Sequence, residues 1–197
     1  MRKVAALLTI FVLIFGAFAA AEEDEKVSWE VYKVEDNSIP SAKRYSYTAV
    51  IHDPVTPEQI KSIGNRVIEK AKEKTPFNAL DIYFNDYPEY ATGSIPYVLA
   101  WARVAPGGEY SNAPNVETGD YSTMEVTWDI KEKDWDKRLT PKEAEIWGRW
   151  DEIYKKNPGM SEDEIIGKVA KEFDVTPEKV DSIAMKQLNW VFQDLDK

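Results

Sequence analysis

Residues 56–85 constrain the fold more tightly than any other part of the chain. Thr56, Pro57 and Gln59 supply an N-cap, a first-turn proline and a glutamine placed to close a capping box. Ile60, Ile63, Val67, Ile68 and Ala71 then recur at helical spacing, while Lys61, Arg66, Glu69, Lys70 and Lys72 fall mainly elsewhere around the helix. Pro76 stops the helix, and Leu80, Ile82 and Phe84 alternate with Asp81, Tyr83 and Asn85 as in a strand covered on one face. A helix with one apolar stripe must lay that stripe on a sheet, and strand-like runs flank it on both sides. The core predicted from this pattern is Ile63, Val67, Leu80, Ile82, Phe84, Ala100 and Val126.

Ahead of the helix, residues 29–34 and 44–51 read as strands. The second puts Tyr45, Tyr47, Ala49 and Ile51 on one side and Ser46, Thr48 and Val50 on the other. Beyond it, residues 86–96 form a loop, and 97–104 a strand with unequal faces. Val98, Ala100, Ala102 and Val104 are small, whereas Tyr97, Leu99, Trp101 and Arg103 are large. A small-residue face lets a helix approach closely, so the central helix is expected there. A long connection, 105–120, leads to a last strand carrying Met124, Val126, Trp128 and Ile130. The order β-β-α-β-β-β lacks repeated βα units, which predicts an α+β fold: a mostly antiparallel sheet of about five strands with one packed helix.

Residues 131–138 are charged, with Trp135 the only apolar anchor, and mark a boundary between an α+β domain at 22–135 and a C-terminal segment at 136–197. Three helices follow, starting at Thr140-Pro141 with Glu143 as capping partner, at Ser161 with Glu164, and at Thr176-Pro177. The last two have helix-turn-helix-like spacing, in Val169, Ala170, Val175, Val180 and Ile183. A DNA reader needs a basic second helix, but this one offers Glu178, Lys179, Asp181, Ser182 and Lys186. Residues 140–197 hold nine Lys/Arg against thirteen Asp/Glu, so helical packing explains the spacing and nucleic acid is not expected as a partner.

The N-terminus differs in kind from the rest. Arg2 and Lys3 precede an apolar run, then small residues, then Glu22, Glu23, Asp24 and Glu25. This describes a signal peptide at 1–21, with the mature chain beginning at Ala20 or Glu22; an uncleaved anchor is the competing reading. Cleavage removes two cations and no acid, taking the formal charge from −10 to −12. Such a surface disfavours polyanionic partners. The expected localisation is therefore exported (periplasmic, cell-surface or secreted), with no stable membrane insertion once the signal is gone. The chain has no cysteine, which excludes disulfides, thiolate zinc sites and a lipid-modified N-terminal cysteine.

No catalytic signature is present. His52 is the only histidine, there is no Gly-x-Ser-x-Gly, and His52-Asp53-Pro54 reads as the turn into the central helix. Neither Asp81, Asp86 and Glu89 nor Asp129, Asp134 and Asp136 have calcium-loop spacing, so no metal or cofactor is expected. Aromatic residues make up 12% of the chain, including seven Trp and ten Tyr. Most of these belong in a core, but Tyr83, Tyr97 and Trp101 are balanced between burial and a binding platform. A ligand would meet Tyr97 and Trp101 together with the long loop, through Glu109, Tyr110, Asn112, Asn115 and Asp120. In the competing structural reading, Asp120 and Tyr121 pin the loop while Tyr97 and Trp101 pack under the C-terminal helices.

Four short pieces carry a resemblance: Pro40-x-x-Lys43-Arg44, Thr56-x-Glu58-Gln59-Ile60, Ala79-Leu80-x-Ile82-x-Phe84 and Gly119-Asp120-Tyr121. Residues 29–130 resemble a bacterial domain of unknown function seen in exported proteins and lipoproteins. The resemblance implies export and brings no catalytic residue with it. The functional expectation is an exported, non-enzymatic binding or interaction module for a glycan, a peptide or an envelope protein. The alternative is an exported hydrolase acting through paired carboxylates on a glycan or peptide.

Overall fold

The computed structural model describes residues 27–92 and 97–193, and the signal-peptide reading of 1–21 lies outside the described residues. Among those residues, no helix is long and apolar enough to cross a membrane. The elements are β1 (Trp29–Asp36), β2 (Arg44–Ile51), α1 (Pro57–Lys74), β3 (Ala79–Asn85), β4 (Ala100–Pro106) and β5 (Met124–Ile130), followed by α2 (Pro141–Lys156), α3 (Glu162–Phe173) and α4 (Pro177–Val191). The fold is α+β, with five strands in the spatial order β1-β2-β3-β4-β5.

The sheet is mixed, which corrects the expectation of a mostly antiparallel one. β2 and β3 run parallel, while β1/β2, β3/β4 and β4/β5 are antiparallel. The cause is the length of α1. Its 18 residues span about 27 Å, enough to return the chain to the end of the sheet where β2 began. A crossover of that kind delivers a parallel neighbour. As inner strands, β2 and β3 are then buried over most of their length.

Both halves of the expected capping box form at Thr56 and Gln59. The α1 stripe of Ile60, Ile63, Val67, Ile68 and Ala71 is buried, together with Gly64. Register places Tyr47 beside Ile82, Ile82 beside Ala102, and Ala102 beside Trp128, so these residues share one sheet face. Gly64 marks the closest approach of helix to sheet. A Cβ there would lie 2.3 Å from the Trp128 ring and 3.2 Å from Phe84. The small residues Ala100, Ala102 and Val104 do face the helix, as expected, and six of the seven predicted core residues are fully buried. Val126 is the exception at 39% exposure. It sits on β5, which among the described residues is the edge strand on that side.

The strand expected at 97–104 begins at Ala100 and runs to Pro106. The long connection contains a 3₁₀ turn, Tyr110–Asn115. Another 3₁₀ turn, Pro88–Thr92, holds Tyr90, which is 2% exposed.

All three C-terminal helices start at the expected caps. They meet the sheet at the carboxyl ends of β2 and β3. The Tyr90 ring packs edge-on to Trp147 at 4.8 Å, and its hydroxyl donates to Gln187 at 2.7 Å. The Tyr87 hydroxyl donates to the Leu139 carbonyl at 2.7 Å. Trp135 packs against Trp190, and its indole N–H donates to the Val55 carbonyl. One hydrophobic core runs from Ile63 and Phe84 through to Ile165 and Trp190.

Candidate binding face

The sheet face opposite α1 is built from the other half of each strand's alternation. Cross-strand register sets Thr48, Tyr83, Trp101 and Asp129 in one row across β2–β5, and Ser46, Asp81, Arg103 and Thr127 in the next. Ser46, Thr48 and Asp81 are buried at the base of this face. Tyr83, Trp101 and Arg103 are half-buried, and Thr127 and Asp129 are exposed.

Aromatic rings and cations alternate over the face. Tyr83 and Tyr97 lie nearly parallel, 13° apart, with centres 6.3 Å apart. The Tyr97 hydroxyl donates to Asp129 at 2.6 Å, and Lys131 sits 4.7 Å from the Tyr97 ring centre. Arg103 donates to both Asp81 oxygens, at 2.9 and 3.3 Å, and its guanidinium lies 4.7 Å from the ring centres of both Trp101 and Tyr110. Arg44 covers Tyr110 at 4.6 Å. Burial, then the bond to Asp129, pushes the Tyr97 phenol up to about 12. Burial likewise raises Tyr83, with the Asp81 charge adding to it. Both phenols therefore stay neutral hydrogen-bonding groups at physiological pH.

Of the residues predicted for the site, Tyr97, Trp101 and Tyr110 come together here. Glu109 is exposed at the start of the 3₁₀ turn and makes no side-chain cap bond, and Asn115 is exposed at its end. Asn112 is turned into its own loop and donates to the Pro106 carbonyl at 3.1 Å. Asp120 accepts from the Ser122 amide at 2.9 Å and holds a turn. Its neighbours Gly119 and Tyr121 meet Phe77 near the end of α1, away from the aromatic rows. Sequence reasoning left out Arg44, Asp81 and Asp129. The signal for them was alternation parity, since all three fall on the Tyr83 and Trp101 side of their strands.

A second cluster lies at the junction with the C-terminal helices. Asp86 has no exposed surface and pairs with Arg138 Nε at 3.0 Å. Arg138 also donates to the carbonyls of Asp86 and His52, at 2.7 and 2.8 Å, and stacks over Tyr87 at 4.2 Å. Burial pushes the Asp86 carboxyl up to about 6 against the opposing pull of Arg138. Trp190 lies near enough to favour the charged carboxylate, though without the geometry of a full hydrogen bond. Beside this pair runs an open cleft of about 470 Å³, with Pro54, Tyr87, Trp135 and Leu139 among its walls. The charged stretch that reads as a boundary in the sequence thus clamps the helices to the sheet. His52 stands at the rim of the cleft, 3.7 Å from Glu30.

Each buried carboxylate, Asp81 and Asp86, is answered by an arginine. Among the described residues, no three His, Cys, Asp or Glu side chains are grouped to hold a metal ion. In the helix-turn-helix-like pair, Lys179 and Lys186 both bond Glu143 of α2, each at 2.8 Å. Compared with family models, with curated proteins and with solved structures, the chain matches none.

Proposed function

We propose that the protein is an exported, non-enzymatic binding module that engages its partner through the sheet face opposite α1. The observation that carries this reading is the set of half-buried rings on that face: Tyr97, Trp101 and Tyr110, held in place by Arg44, Arg103, Asp129 and Lys131, and Tyr83, stacked on Tyr97. Rings fixed by ion pairs and cation–π contacts lose little side-chain entropy on binding, which favours a recognition surface over a loose one. The basic start, apolar run and small-residue end of residues 1–21 support export.

A hydrolase working through paired carboxylates needs two acids facing each other across a cleft. The arginine partners of Asp81 and Asp86 give both a structural task, which supports binding over hydrolysis. The test is cosedimentation of protein purified from the periplasmic or secreted fraction with insoluble cell-envelope material. Wild type should pellet, and the Tyr83→Ala/Trp101→Ala double variant should stay in the supernatant. Equal pelleting of the two would remove the face from the binding role.

A further inference from the structure

Resting on that reading, we propose that the ligand of the open face is a neutral linear glycan, laid across the strands along the row Tyr83, Trp101 and Asp129. Three features of the face select this chemistry.

The charges on the face are balanced in number, with Arg44, Arg103 and Lys131 against Asp81, Glu125 and Asp129, and most of them have a contact within the protein. Arg103 is held by Asp81, Asp129 accepts from Tyr97, Arg44 lies over Tyr110 and Lys131 over Tyr97. A phosphate or a strongly cationic ligand would meet as many charges of its own sign as of the other. A polyhydroxyl ligand needs no net charge opposite it.

The rings also lie where a peptide main chain has nothing to pair with. A peptide that recognises a sheet through its backbone adds itself to an exposed edge. Tyr83 and Trp101 are on β3 and β4, whose backbone groups are committed to strands on both sides. A ligand on this face must use ring stacking and side-chain hydrogen bonds, as a sugar does with its C–H face and its hydroxyls.

The arrangement also has a direction. Tyr83 is the cross-strand partner of Trp101, and Trp101 of Asp129, so rings and acceptor lie in line at right angles to the strands. Strands are about 4.8 Å apart, close to the advance of one sugar unit in an extended chain. Tyr97 stands beside this line with its hydroxyl fixed on Asp129. Exposed Thr127 and Glu125, further along β5, offer more acceptors at the open edge.

Isothermal titration calorimetry of the purified protein with cellohexaose, chitohexaose and mannohexaose tests the assignment. At least one hexasaccharide should bind saturably, and its disaccharide should bind more weakly by roughly tenfold or more. Trp101→Ala and Asp129→Asn should each weaken the hexasaccharide by about tenfold, while Tyr154→Ala, an exposed ring on α2, leaves it unchanged. Asp129→Asn keeps the reading open to test if Trp101→Ala fails to fold. Failure of all three sugars at millimolar concentration overturns the glycan, as does binding that survives both substitutions on the face. If the sugars fail while wild type still pellets with envelope material and the double variant does not, the binding face stands with another class of ligand. If the two proteins pellet alike as well, both proposals fall.

Discussion

The two faces of the sheet are made by the same strands and held by different forces. Under the middle of α1 the contacts are between side chains without charge: Ile63 and Val67 above, Ile82, Phe84 and Ala102 below, with Gly64 letting the Trp128 ring touch the helix. On the other face the large side chains are amphipathic: Tyr97, Trp101 and Tyr110 are each tied to a charged neighbour, and Tyr83 stacks on Tyr97. The first arrangement gains stability from the area it removes from water. The second gains order, because a cation over a ring or a bidentate arginine fixes geometry while leaving the surface wet. One face is consumed in folding, and the other stays available.

The largest expected effect tests this contrast within a single strand, at neighbouring residues. Ile82 is fully buried beneath α1, and Tyr83 is half-buried on the opposite side. Ile82→Ala should lower the unfolding free energy by about 2–5 kcal/mol, through lost transfer energy and the cavity left behind. Tyr83→Ala removes more atoms yet should cost less than about half of that, since part of the ring already faces water. Urea unfolding of the two variants measures both. Equal losses would mean that the open face contributes to the core as much as the helix face does.

Much of this organisation is legible in the sequence, because local rules decide it. Caps at Thr56, Thr140, Ser161 and Thr176 are one-residue signals with a hydrogen-bonding cause, and all four form. The parity of β2 and β3 could be read for the same reason, since alternation is a local property. Strand direction could not, because it depends on where an 18-residue helix returns the chain. The site divided along the same line. Trp101 and Tyr97 stand out by residue type, whereas the partnership of Arg103 with Asp81 depends on register between β3 and β4, 22 residues apart. Arg138 is harder still, since its partner Asp86 lies 52 residues away and belongs to another element. The charged run at 131–138 gives no hint that one of its cations is to be buried.

A smaller effect, readable through pH, carries the contrast into the helical segment, where a polar cluster supplies stability. Burial of Glu143 works against its charge, but hydrogen bonds from Lys179, Lys186 and the Thr140 amide outweigh that and hold it at about 2, below an ordinary 4.5. A carboxylate depressed by folding gives its stabilisation in full above the unfolded value and loses it as pH falls through the folded one. Allowing for solvent screening, this site should contribute about 1–2 kcal/mol at neutral pH, lost between roughly pH 4.5 and 2. Glu143→Gln should lower stability by that amount at pH 7, and the two proteins should converge near pH 2. Thermal unfolding followed across that range checks it, and a constant gap down to pH 2 would show that the carboxylate charge is not what ties α2 to α4.

The smallest expected change in stability separates the faces most sharply, because it concerns two tryptophans on adjacent strands. Trp101 and Trp128 are both half-buried, so exposure alone predicts similar costs for their removal. Their surroundings predict otherwise. Trp128 fills the space over Gly64 and stacks on Phe84 at 6.2 Å, so Trp128→Ala opens a cavity between helix and sheet and should cost about 3 kcal/mol or more. Trp101 has its ring under the Arg103 guanidinium at 4.7 Å and its other neighbours on a wet face. Its loss removes one cation–π contact, about 0.5–1 kcal/mol where exposed, while the Arg103–Asp81 pair survives on its own two hydrogen bonds. Trp101→Ala should therefore unfold within about 1 kcal/mol of wild type. A Trp101→Ala variant as unstable as Trp128→Ala would place that ring in the core and withdraw it from the binding face. A stable one that no longer pellets with envelope material would separate the role of Trp101 in recognition from any role in folding.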